Sequence, residues 1–158
     1  MSIQVGDRLP SVALHEGTPK NKQDMSTYFA GKKAVLFAVP GAFTPGCSKV
    51  HLPSYINQAD SIFASGVDII ACVAVNDAFV MTAWGEATGA EGKITMLADP
   101  TAEFTKAIGL DVHAGGLGGT RSKRYSMVIE DGVVSALNVE PDGFGLTCSL
   151  ADGLADAL

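Results

Sequence analysis

Two stretches of this chain are apolar with almost no interruption, AVLFAV at 34–39 and VDIIACVAV at 67–75. Continuous apolar runs of this kind predict strands of a sheet covered on both faces, because alternation arises only where one face meets water. Between them Val50, Tyr55, Ile56, Ala59, Ile62 and Phe63 recur near helical spacing and predict a helix over 47–64. Pro53 has no N–H for the carbonyl of Lys49, so that helix is expected to kink there. Asn76 and Asp77 then cap a helix over 78–88 that carries Phe79 and Trp84. A third strand is predicted over 93–98, and a short helix over 101–108 is closed by Gly109. Strands over 125–129 and 133–137 flank Glu130-Asp131-Gly132 as a hairpin, and Ser149 opens a last helix over 150–157. The order β-α-β-α-β-α, hairpin, α predicts an α/β fold with a mixed central sheet flanked by helices.

Glycines cluster at 115–119 (GGLGG) and 143–145 (GFG) and read as two mobile loops. With no repeat, linker or low-complexity tract, residues 1–158 are expected to form a single domain. Lys plus Arg number 11 against 17 Asp plus Glu, a net charge of −6 that repels polyanions, so no nucleic-acid partner is expected. Hydrophobic residues make up 47% and charged residues 18%, well away from the disordered class. No run reaches the ~18 apolar residues of a membrane span, and the first ten residues lack the pattern of a leader peptide. Cys47, Cys72 and Cys148 are too few and too scattered for a disulfide framework, and they form no C-x-x-C pair. With His15, His51 and His113 they reach no zinc spacing, and nothing suggests haem, flavin or metal. An odd thiol count without a leader points to a reducing, intracellular compartment.

The segment PGAFTPGCSK at 40–49 follows a buried strand and opens a helix, where α/β proteins place their sites. Gly41 and Gly46 have the spacing of a phosphate loop, but Cys47 and Ser48 stand where Lys and Ser/Thr are needed. The other reading makes Cys47 a nucleophile. A thiol in the first turn of a helix meets the partial positive charge of free N–H groups, which favours thiolate. Full ionisation of a thiol of ordinary pKa gains only roughly thirtyfold at pH 7, so further rate must come from positioning. Thr44 can place a hydroxyl beside the sulfur, and Pro40 and Pro45 stiffen the loop. His51, four residues after Cys47, is expected to be a hydrogen-bonded structural histidine rather than a general base. Phe43 is a candidate for the site wall or a dimer contact, and Phe79 and Trp84 for core or dimer contacts.

The segment PGAFTPGC within P-x-x-x-T-x-x-C resembles the active-site motif of peroxiredoxins. VNDAFVMTAWG (75–85), LADPTAEF (97–104), RSKRYSMVIEDG (121–132) and LNVEPDGFGLTCSL (137–150) resemble the type-5 or type-II branch, so the similarity covers about residues 3–158. It implies a thioredoxin-like fold and a thiol-dependent peroxidase for hydrogen peroxide and organic hydroperoxides, with peroxynitrite as a further substrate. By the same resemblance Cys47 is the peroxidatic cysteine, Thr44 holds peroxide and thiolate, and Pro40 shields the site. Backbone N–H groups of Gly46 and Cys47 would contact peroxide oxygens, and Arg124 would polarise the O–O bond. A fixed guanidinium suits that task, since it favours thiolate and the departing alkoxide or hydroxide. Arg121 reads instead as a solvated loop charge.

Oxidation of Cys47 leaves a sulfenic acid that a second thiol converts to a disulfide. The LTCSL context matches the resolving cysteine of the atypical two-cysteine enzymes at Cys148, which follows a glycine-rich loop. Cys72 lies inside an apolar strand and reads as core, although plant-type relatives have a candidate resolving cysteine there. The resemblance further implies thioredoxin, or glutaredoxin, as reductant and a homodimer. A dithiol oxidoreductase would need a second cysteine at position 50, where Val50 stands. The remaining rival is a non-enzymatic peroxide sensor or redox-signalling module using Cys47. The final Asp156-Ala157-Leu158 matches the peroxisomal Ser-Lys-Leu signal poorly, which leaves the cytoplasm or an organelle (mitochondrial or peroxisomal, after loss of any leader) as the expected compartment.

Overall fold

The computed structural model describes residues 2–158. Seven strands form one mixed sheet in the order β2-β1-β5-β4-β3-β8-β9. They are β1 (Ala13–Glu16), β2 (Thr18–Asp24), β3 (Lys33–Ala38), β4 (Ile69–Ala74), β5 (Thr95–Ala98), β8 (Tyr125–Glu130) and β9 (Val133–Val139). The centre is parallel, β3 with β4 and β4 with β5, while β8 returns antiparallel to β3 and β9 to β8. A separate antiparallel pair joins β6 (Asp111–Ala114) and β7 (Gly119–Ser122).

The two apolar runs form the middle of the sheet for the reason their composition implies. Val35, Phe37 and Val39 enter one core cluster, while Ala34, Leu36 and Ala38 enter the cluster on the opposite face. The same division sends Ile70, Cys72 and Ala74 one way and Ala71 and Val73 the other, so both faces are covered. The first layer is closed by Leu52, Tyr55, Ala59 and Ile62 of α2 (Leu52–Ala64) and by Met81 and Trp84 of α3 (Ala78–Thr88). The second is closed by Met25 of the single turn α1 (Met25–Tyr28), by Phe29 after it, and by Phe104 of α4 (Glu103–Ala107).

The expected caps form. Asp77 accepts from the N–H of Val80 at 2.9 Å, and Gly89 ends α3 in the left-handed region at φ 78°. Asp131 and Gly132 both have positive φ, 52° and 79°, the geometry a two-residue hairpin between β8 and β9 requires.

At Pro53 the helix continues without a break, as expected, and the irregularity takes the form of a wider turn. A π-helical turn, Cys47–His51, precedes α2, and the N–H of Leu52 reaches the carbonyl of Cys47. The widened turn leads directly into α2 and places Pro53 in its first turn, where a missing N–H costs little. The last helix is likewise a 3-10 helix, Ala151–Ala157. The strand edges contract, 67–75 to Ile69–Ala74 and 93–98 to Thr95–Ala98. The pattern gave no sign of β1, β2 or α1, because β2 is polar and almost wholly exposed. The GGLGG stretch is a 3-10 turn, Gly115–Leu117, followed by the start of β7, with Gly118 at φ 94°. Among the described residues no helix is long and apolar enough to cross a membrane.

Beyond β9 the chain loops through residues 140–149, and one carboxylate closes that loop. Oε1 of Glu140 accepts from the N–H (2.9 Å) and hydroxyl (2.6 Å) of Thr147. Oε2 accepts from the N–H of Cys148 (2.9 Å) and from the N–H (2.8 Å) and hydroxyl (2.6 Å) of Ser149. Burial alone would raise the Glu140 pKa, but hydrogen bonds from Ser149, Thr147 and the Cys148 N–H outweigh it and hold the carboxyl well below the usual range. A folded-state value below the unfolded one stabilises the protein above pH 4.5, and that contribution is lost as pH falls below it. Glu140→Gln is therefore expected to lower stability at pH 7 by on the order of 2 kcal/mol. Urea unfolding at pH 7 and pH 3.5 checks this: the gap between wild type and variant narrows in acid.

Candidate active site

The segment after β3 carries the site. Pro40 and Gly41 are buried, and the N–H of Ala42 donates to Asn76 Oδ1 at 3.0 Å, which ties the loop to the start of α3. Phe43 turns the chain at φ 63°, a left-handed conformation uncommon for a bulky residue, and its ring is 55% exposed. Thr44 donates its hydroxyl proton to the carbonyl of Gly41 at 2.8 Å, leaving the oxygen lone pairs free to accept. Cys47 begins the π-helical turn as a free, fully buried thiol. The neighbouring Ser48 accepts from the indole N–H of Trp84 at 2.9 Å, which fixes the turn against α3.

Arg124 precedes β8 and is only 4% exposed. Its Nε donates to the carbonyl of Phe144 at 3.1 Å and its Nη1 to Nδ1 of His51 at 3.0 Å. The remaining Nη2 lies so close to the main chain of Gly46 that a Cβ added there would stand 3.2 Å away. A guanidinium thus presses against the backbone just before the thiol, and glycine at 46 makes the approach possible.

His51 is oriented from both sides. Arginine can only donate, so Nδ1 is the acceptor and Nε2 carries the proton, which points to the carbonyl of Ser149 at 3.0 Å. Burial, and then the Arg124 charge, lower its pKa to about 3, so the ring is neutral at pH 7. Its lone pair is occupied by arginine, which leaves no base for Cys47; the structural reading of His51 holds. Tyr55 donates to the same Ser149 carbonyl at 2.7 Å and stacks on Phe37 with centroids 4.0 Å apart.

Cys72 is fully buried in the same core layer as Cys47, and burial, reinforced by Cys47, pushes its pKa well up. Cys148 is half-buried, its thiol directed at the carbonyl of Val139 at 3.5 Å, with its pKa raised by burial and by Glu140. All three are free thiols. Trp84 is fully buried, whereas Phe79 is 64% exposed on the first turn of α3.

Arg121 corrects the sequence reading. It is not a solvated loop charge: Nη1 donates to the carbonyl of Val75 at 2.6 Å, and Nε and Nη2 donate to that of Leu117 at 3.1 and 2.8 Å. It braces the β6–β7 hairpin against the end of β4, beside Gly41. Sequence reasoning also missed Glu140 and the anchoring role of His51. The four-residue offset of His51 from Cys47 was visible, but its partner lies 73 residues away. Among the described residues no cluster of His, Cys, Asp and Glu could hold a metal ion.

The Redoxin family model matches residues 4–152. Peroxiredoxin-2E-2, chloroplastic, of Oryza sativa subsp. japonica is 45% identical over 166 residues, covering 99% of this chain and 73% of that protein. The reduced Prx3 of Vibrio vulnificus has a TM-score of 0.92 at 52% identity, covering 98% of this chain and 97% of that one. The same protein in complex with h2o2 also has a TM-score of 0.92, at 53% identity over 99% of each chain. Peroxiredoxin 5 of Alvinella pompejana has a TM-score of 0.83 at 44% identity, covering 92% of this chain and 95% of that one. The mixed sheet flanked by helices is thus the thioredoxin-like fold. Similarity of this degree along nearly the whole length means that the chain belongs to the peroxiredoxins, in the type-5 or type-II branch, and is a thiol-dependent peroxidase.

Proposed function

We propose that the whole chain works as one peroxidase unit in which Cys47 attacks hydrogen peroxide or an organic hydroperoxide. The buried guanidinium of Arg124, fixed by His51 and Phe144 against the backbone of Gly46, is the observation that carries this reading. The Cys47 thiolate forms a bond to one peroxide oxygen while the O–O bond breaks. Cys47 becomes a sulfenic acid, and the departing oxygen leaves as water or alcohol after taking a proton. Charge grows on that oxygen as the bond breaks, and a cation already held in place stabilises it without reorganisation. Thr44, its own proton committed to Gly41, accepts from the peroxide hydroxyl. The N–H groups of Gly46 and Cys47 hold the peroxide oxygens, and buried Pro40 shields the thiol from bulk water. Hydrogen peroxide as substrate is supported by the Vibrio relative's complex with h2o2; peroxynitrite reacts at the same thiolate.

Cys148 resolves the sulfenic acid in this reading. It is half-buried and follows a loop, whereas Cys72 is enclosed in a central strand with its pKa pushed well up. The resulting disulfide is reduced by a dithiol protein of the thioredoxin or glutaredoxin kind, inside the cell. A homodimer forms beside the site, supported by Phe43 and Phe79, which expose apolar rings on segments joined through Asn76.

Three expectations test this. Peroxide consumption with a thioredoxin system falls to background in Cys47→Ser, and in Cys148→Ser it stops after one turnover; full activity in Cys47→Ser would refute the assignment. Gly46→Ala, whose new Cβ must displace Arg124, is expected to lower kcat/KM at least about tenfold with the fold intact by circular dichroism. Phe79→Glu is expected to sediment as a monomer where wild type is a dimer; a monomeric wild type would sink the dimer.

A further inference from the structure

We infer that Glu140 is a positioning residue for resolution: its carboxylate latches the Cys148 segment shut, and release of that latch sets how fast the Cys47 sulfenic acid becomes a disulfide. The inference rests on Cys148 being the resolving thiol.

All five acceptor bonds of the carboxylate go to three consecutive residues, Thr147, Cys148 and Ser149. The other end of the latch is firm. The N–H of Glu140 donates to the carbonyl of Arg124 at 3.0 Å, its own carbonyl accepts from Gly143 at 2.9 Å, and its side chain is buried at 1% exposure. The latched state is not the bridging state. The Cys148 thiol is directed at Val139 on the edge strand β9, while Cys47 lies in the core layer under α2, and both thiols are free. To join them, Cys148 must leave its place, and its N–H cannot move far without its two neighbours. The bonds therefore open together.

Other groups hold the segment too. His51 and Tyr55 donate to the Ser149 carbonyl, and Gly153 lies against the carbonyl of Cys148 with no room for a side chain. Of these, Glu140 alone contributes an ionised acceptor, and hydrogen bonds to a charge are about twice as strong as neutral ones.

The step so gated conserves atoms. The Cys148 sulfur attacks the sulfenic sulfur of Cys47, the S–S bond forms as the S–O bond breaks, and the hydroxyl leaves as water with the thiol proton. While the latch is shut the sulfenic acid persists, and a second peroxide can carry it to sulfinic acid. A tighter latch thus makes the enzyme easier to inactivate with peroxide.

Rapid mixing of the reduced full-length protein with excess hydrogen peroxide, followed by the fluorescence of Trp84, tests this. Trp84 bonds to Ser48 beside Cys47, so it reports on both steps. The phase proportional to peroxide is sulfenic acid formation; the peroxide-independent phase is resolution. Glu140→Gln puts an amide donor against the N–H groups and is expected to speed the second phase about tenfold or more, while the first slows to the extent that the Ser149 carbonyl is lost from His51. Thr147→Val, which removes one hydroxyl bond, should speed the same phase by less, and it decides the matter if the glutamine variant does not fold. Sulfinic acid at Cys47, read by mass, should accumulate more slowly in both. An unchanged or slower second phase, with a Cys47–Cys148 bridge found by mass mapping, overturns the latch alone. A Cys47–Cys72 bridge overturns the resolving assignment and the latch with it.

Discussion

A buried guanidinium constrains the rest of this structure. Removing a charge from water is costly unless its donors find acceptors, and a carboxylate partner would cancel much of its field. Arg124 is instead held by a neutral histidine nitrogen at Nη1 and a carbonyl oxygen at Nε, so two of its donors are met without cancelling its charge, and Nη2 stays beside the thiol loop. The neutrality of His51 follows from that bond, because a protonated ring could not accept it. Nε2 then requires an acceptor, which is the carbonyl of Ser149. Gly46 has to lack a side chain for the same arginine to approach.

Two of those acceptors lie on the loop that carries Cys148. Phe144 and Ser149 supply the carbonyls that orient Arg124 and His51, and the carboxylate of Glu140 keeps the loop where they can do so. The loop thus completes the hydrogen-bond chain that runs from Ser149 through His51 to Arg124. Displacing residues 147–149 would take the Ser149 carbonyl from His51 and loosen the arginine pair. With Cys148 as the proposed resolving thiol, attack and resolution would require the same segment in two different places, linked through backbone oxygens.

Elements whose burial is decided locally were readable from the pattern. The runs at β3 and β4 announced a doubly covered sheet because each residue there meets apolar neighbours on one face or the other. Asp77 capped its helix and Asp131-Gly132 turned its hairpin through bonds and dihedrals confined to a few residues. Polar β2 was invisible because its strand geometry comes from pairing with β1. Pro53 marked an irregular place in its helix, but that the irregularity is a wider turn over Cys47–His51 could not be read from the missing donor alone.

The same division applies to the site. Cys47, Thr44 and Pro40 stand within one segment, and Arg124 and Cys148 lie in segments similar to those of the family, so they could be singled out as candidates without coordinates. Chain order alone left Arg121 a solvated charge, His51 without a partner and Glu140 without a role. Their bonds join residues separated by 98 positions for His51 and Ser149, 73 for His51 and Arg124, and 46 for Arg121 and Val75. The linear sequence determined which groups can ionise, attack or cap. Which buried donor meets which acceptor was decided only when the sheet brought β3, β8 and the 140–149 loop together, because hydrogen bonding depends on angstrom-scale distance and direction, which folding sets.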